Sequence, residues 1–155
     1  MDQLLSAFSA QFAALNERAL ALVRRVPPDR LYWQPRAGRN FPVYSCGEHL
    51  LRAAACVEQT FGGITANLWD DPFEWTLPET LPTPDAVAAY LAEVEATRRR
   101  GFALIRGDEE LTKEIALPSG EMQTLAALLL ATLTRAAHHQ GCACATFRLF
   151  SDEQL

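Results

Sequence analysis

The chain has no apolar run long enough to cross a bilayer, no C-x-x-C pair, no internal repeat and no low-complexity tract. The first absence argues against a membrane-spanning helix, and no membrane partner is expected. The start, Met1-Asp2-Gln3, also lacks the basic region and apolar stretch of a secretion signal, so the expected location is the cytoplasm. There Cys46, Cys56, Cys142 and Cys144 are expected to be reduced thiols. Without a C-x-x-C pair, thioredoxin-like and zinc-ribbon chemistry lose their usual signature. Concentrated positive charge is missing too. The net charge is -5, and the one basic run, Arg98-Arg99-Arg100, follows glutamates one turn earlier and reads as a solvated helix face. A nucleic-acid partner is therefore not expected.

What is present suits one globular domain over residues 1–155, with 49% hydrophobic and 21% charged residues. Leu5, Phe8, Phe12, Leu15, Ala19, Leu22 and Val26 recur at intervals of three and four, which predicts a helix from Asp2 to Val26 with one packing seam. Pro27-Pro28 ends it. A connector follows, in which Leu31 and Trp33 are expected to plug one end of the core. Ser45-Cys-Gly-Glu48 matches a capping box and opens a second helix, expected to stop at Gly62-Gly63. Residues 62–82 are long and irregular, with Trp69, Phe73 and Trp75 among acids and prolines. They read as a crossover covering the core, or as a lid. Thr83-Pro84-Asp85 starts a third helix whose buried face is Val87, Tyr90, Leu91, Val94 and Leu104. Ile115, Leu117 and Met122 suggest a short extended piece before a fourth helix over 123–150.

The chemistry concentrates in that last helix. Thr132, Arg135, His139, Cys142 and Thr146 share a helical stripe that continues Leu125 and Leu128, so they are expected to face the core. Buried polar groups need partners there. His49 on the second helix, one turn inside its start beside leucines, is expected to face inward as well. Histidines from two helices of a bundle suggest a metal site, because imidazole binds zinc, nickel, iron and copper.

The segments Trp33-Gln-Pro35, Tyr44-Ser-Cys-Gly-Glu-His49-Leu and Ala137-His-His-Gln-Gly141, with Arg148 after them, together resemble the DinB/YfiT-like superfamily of bundle proteins. The resemblance covers nearly the whole chain. It implies an all-α four-helix bundle, up-down-down-up, with a long crossover between helices two and three, often as a homodimer. It also implies a divalent metal, often zinc or nickel, on three histidines, and thiol transfer or hydrolysis as the reaction class. His49 and His139 match two ligand positions. The third position is Arg135, and a guanidinium has no lone pair to give a cation.

Three readings stay open. The metal is lost and the bundle binds a small ligand or a partner, with Arg135 anchoring an anionic group. Or the site is rewired as a metal-dependent transferase or hydrolase, using Cys142 or Cys46 beside the histidines. Or Arg135 turns to solvent and the histidines are merely packed. A metal-free site is the leading expectation, with Arg135, Cys142 and Cys46 as ligand-binding candidates. Gly141 is expected to permit close helix approach.

Overall fold

In the computed structural model, which describes residues 2–72 and 76–154, capping groups and apolar seams divide the chain into helices. Among the described residues these are α1 (Gln3–Val23), α2 (Cys46–Ala66), α3 (Pro84–Leu104) and α4 (Leu125–Phe147), with strands β1 (Glu114–Ala116) and β2 (Met122–Thr124). The strands pair antiparallel, Ile115 opposite Gln123, and Gly120 takes the left-handed conformation (φ 85°) in the turn between them. The chain is thus mostly helical, an all-α bundle with a small hairpin. No helix of the described residues is long and apolar enough to cross a membrane.

At each helix start a side-chain oxygen satisfies free N–H groups. Ser45 Oγ accepts from Glu48 N–H at 3.1 Å and Glu48 Oε2 accepts from Ser45 N–H at 2.8 Å, the expected capping box. Thr83 and Thr124 accept from Ala86 and Ala127 N–H in the same manner. Asp2 does not cap its own helix. Its carboxylate accepts from Asp108 N–H, and Asp108 answers by accepting from Leu4 and Leu5 N–H at 3.0 and 2.7 Å. The start of α1 is therefore tied to the segment after α3. Ser45→Ala is expected to cost about 1 kcal/mol, read from urea unfolding, with Ser45→Thr retaining most of it.

The helix ends differ from the sequence reading in three places, one of them α4, which ends at Phe147 rather than at 150. Helix α2 does not stop at Gly62-Gly63 but runs on to Ala66, where Asn67 (φ 55°) makes the left-handed cap. A glycine is needed at 63 because Trp69 folds back on it. A Cβ there would lie 2.3 Å from the indole. Helix α1 ends at Val23, and Val26 is reached by a turn.

Helix α2 packs on α3 and α4, and α1 packs on the same two. Phe12, Phe61 and Phe102 meet at the centre with ring centroids 5.1 to 5.8 Å apart. Phe102, not Leu104, is the buried aromatic or aliphatic residue at the end of α3. Leu104 is 62% exposed, since the two lie about 200° apart on the helix. Leu31 is fully buried and Trp33 stands edge-on to Phe150, as a plug requires. The cover expected from Phe73 and Trp75 lies outside the described residues. Arg98 corrects the solvated reading of the basic run. It is buried and bonds Glu95 through Nε and Nη2 at 2.7 and 2.6 Å, while Arg99 and Arg100 are exposed.

Candidate functional site

The seam between α2 and α4 carries the polar groups. Thr132 donates to Leu128 carbonyl at 2.9 Å, so its single proton is spent and Thr60 donates to Thr132 at 2.6 Å. Further along, His49 Nδ1 and His139 Nδ1 lie 3.3 Å apart, the rings tilted by 39°. The two imidazoles thus face each other across the helices. A hydrogen bond at this separation requires one Nδ1 to carry the proton and the other to accept it, which puts the rings in opposite tautomers. Tyr44, from the connector, meets His49 edge to face at 5.4 Å.

Both rings are held neutral. Burial lowers the His49 pKa to about 4, helped by His139, His138 and Arg52 and opposed by Glu48. Burial, His138, Arg52 and Arg135 lower that of His139 as well. A histidine whose folded pKa lies below its unfolded value of about 6.5 costs stability when protons are offered. Stability is expected to be fully present above pH about 6.5 and to fall as pH drops toward about 4. Thermal unfolding across that window checks this, and His49→Gln should flatten the slope.

Beside the pair opens a cleft of about 130 Å³ lined by Arg52, Ala55, Cys56, Gln59, Asp71, Arg135 and His139. Helix α2 supplies positions 52, 55, 56 and 59, three and four residues apart and hence on one face. Helix α4 supplies 135 and 139, one turn apart. Arg52 was not legible as a site residue. Its guanidinium sits 3.9 Å from the centroid of the Tyr44 ring, a contact made from a connector that no helical spacing reveals. Burial raises the Cys56 pKa, and Arg135 works against it through charge and a hydrogen bond.

The other expected site residues fall elsewhere. The buried face of α4 runs through Leu125, Leu128, Leu129, Thr132, Ala136, Gln140, Ala143, Thr146 and Phe147, so Leu125, Leu128, Thr132 and Thr146 of the expected stripe are buried. Arg135 is exposed and His139 half-buried, one position off that face, which corrects the single core stripe. A guanidinium is expensive to desolvate, and alanine at 136 is not. Gln140 enters the core as Thr132 and Thr146 do, donating to Leu15 carbonyl at 2.6 Å and accepting from Arg18 Nε at 3.2 Å. Cys142 Sγ faces exposed His138 Nε2 at 3.8 Å. Cys46 is fully buried, its thiol pushed up to about 12 by burial and by Cys144. A Cβ at Gly141 would meet nothing within 4 Å, so no close helix approach depends on it.

The spacing of the pair suits a metal. Two imidazole nitrogens on a tetrahedral zinc, each at 2.0–2.1 Å, stand about 3.3 Å apart, and the His49–His139 separation matches. The rest of the donor set does not fit. Among the described residues no three His, Cys, Asp or Glu side chains gather where they could hold an ion. A catalytic zinc takes three protein ligands, and the side chain one turn before His139 is a cation.

The chain matches no protein-family model, no curated protein and no solved structure.

Proposed function

We propose that the chain is a DinB/YfiT-like bundle that binds a small ligand, without a metal, in the cleft between α2 and α4. Its helices run up-down-down-up, with residues 67–82 as the crossover between α2 and α3. Three contacts support that order. Leu4 and Leu5 meet Asp108 beyond the end of α3, Arg25 bonds the carbonyl of Gln154 beyond the end of α4, and His49 early in α2 meets His139 late in α4.

The observation that carries the functional reading is Arg135 lining the same cleft as His139. The resemblance expects an imidazole at that position. A fixed positive charge there disfavours a cation and suits a ligand with anionic or acceptor groups. The two imidazoles satisfy each other's Nδ1 with one shared proton, so the pair is stable with no ion between them. Zinc offered by equilibrium dialysis to untagged protein is expected to stay far below one equivalent.

A second reading has one observation in its favour, the nitrogen spacing. In it the protein is a metal-dependent transferase or hydrolase using His49, His139 and Cys142. That requires Cys142 to leave His138 and join the pair. Near one equivalent of zinc, lost in both His49→Ala and Cys142→Ala, would establish it over the metal-free reading.

A further inference from the structure

Resting on the reading of the α2–α4 cleft as a ligand site, we propose that its ligand is a small oxyanion, a carboxylate or phosphate, taken between the guanidiniums of Arg52 and Arg135. The two helices contribute one guanidinium each to the walls of the cleft. A planar guanidinium matches the paired oxygens of a carboxylate or phosphate, and two of them from different directions select an anion over a neutral molecule. Arg52 is oriented in advance by stacking on Tyr44, so little rotamer freedom remains to be lost on binding. Among the described residues on the walls, two guanidiniums stand against one carboxylate, Asp71.

The small side chains of Ala55 and Cys56 leave the space open. About 130 Å³ compares with the ~10–15 Å³ that one water needs, room for a molecule of several heavy atoms. His139 adds direction. Its Nδ1 is engaged by His49, so Nε2 is the ring nitrogen left for a ligand. If His49 donates and His139 accepts, Nε2 carries the proton and becomes a third donor to the anion. His49 is thereby a positioning residue for the tautomer of its partner.

The test is a titration of uniformly ¹⁵N-labelled protein with sodium acetate and, separately, sodium phosphate, against sodium chloride at matched ionic strength. The readouts are the arginine Nε–H and histidine ring signals. The expected result is a saturable shift at Arg52, Arg135 and His139 with at least one of the two anions, and the anion that saturates at lower concentration identifies the class. Arg135→Gln, an exposed position, is expected to keep the fold by circular dichroism and to weaken saturation about tenfold. Arg52→Lys should weaken it less, because charge remains while the fork is lost. Shifts that never saturate with either anion, or that saturate equally in Arg135→Gln, overturn the proposal. Zinc dialysis separates this from the underlying reading. If the oxyanion fails while the wild type stays free of zinc, the ligand class is wrong and the metal-free cleft stands. If the wild type takes one equivalent of zinc, the metal-free cleft itself is wrong.

Discussion

Arg135→His is expected to turn the chain into a zinc protein, binding close to one equivalent that His49→Ala then abolishes. The first two ligands are already spaced for the ion, with His49 and His139 Nδ1 at 3.3 Å. Position 135 lies one helical turn from 139 and lines the same cleft, which is where an i, i+4 imidazole pair on one face would be built. The substitution acts twice, adding a lone pair and removing a positive charge that repels the ion. Because zinc binds the folded state, it should also raise thermal stability. Free metal at a hundred times its dissociation constant contributes about 2.7 kcal/mol. Metal analysis after dialysis and thermal unfolding with and without zinc check both parts. A folded Arg135→His that takes no zinc would show that position 135 does not point at the imidazole pair.

Arg98→Met is expected to be the most destabilising of the charge removals, at about 3–5 kcal/mol. The side chains of Arg98 and Glu95 are 5% and 11% exposed, and they form a two-point contact. Arg98 also donates to Ser9 Oγ at 3.1 Å, joining α3 to α1. Burial alone would raise the Glu95 pKa, but hydrogen bonds from Arg98 and Arg99 overcome this and hold it below the usual carboxylate range. Removing Arg98 leaves the carboxylate facing a cavity of about 40 Å³ lined mostly by apolar groups, with only exposed Arg99 still bonded to it. The cost is that of an uncompensated charge. The double change Glu95→Leu/Arg98→Met is therefore expected to recover most of the loss, since an apolar pair of similar volume can replace a buried ion pair. Urea unfolding of the two variants decides this. A double variant as unstable as the single one would mean that the pair acts through specific geometry instead.

Elements set by local chemistry were legible in the sequence. The α1 seam at Leu5, Phe12, Leu15, Ala19 and Leu22 is buried as its spacing requires, and Ser45 with Glu48 caps α2. Thr83-Pro84 opens α3, and Thr132 finds a partner inside the bundle. Where partners come from distant segments, local pattern was insufficient. Gly62-Gly63 looked like a stop, yet the helix runs through both, and Gly63 makes the room that Trp69 occupies. Arg98 looked like one of three surface arginines, and only the packing of α3 on α1 shows that it is inside. On α4 a polar stripe and the buried face differ by a single position. Spacing alone does not separate 135 and 139 from 136 and 140, and desolvation cost does not either, since the Gln140 amide is buried with partners on α1 while the His139 ring is half-buried. Of the site itself, His49, His139 and Arg135 could be read from the chain. Arg52 could not, because its place depends on Tyr44 arriving from the connector.

The pairing of the two imidazoles is most directly tested by long-range ¹H–¹⁵N correlation of the histidine side chains at neutral pH. Opposite neutral tautomers are predicted for His49 and His139, one protonated at Nδ1 and the other at Nε2, with the His49 ring staying neutral until pH approaches about 4. Two rings both protonated at Nε2, with His49 titrating at its ordinary value near 6.5, would mean that the nitrogens do not meet.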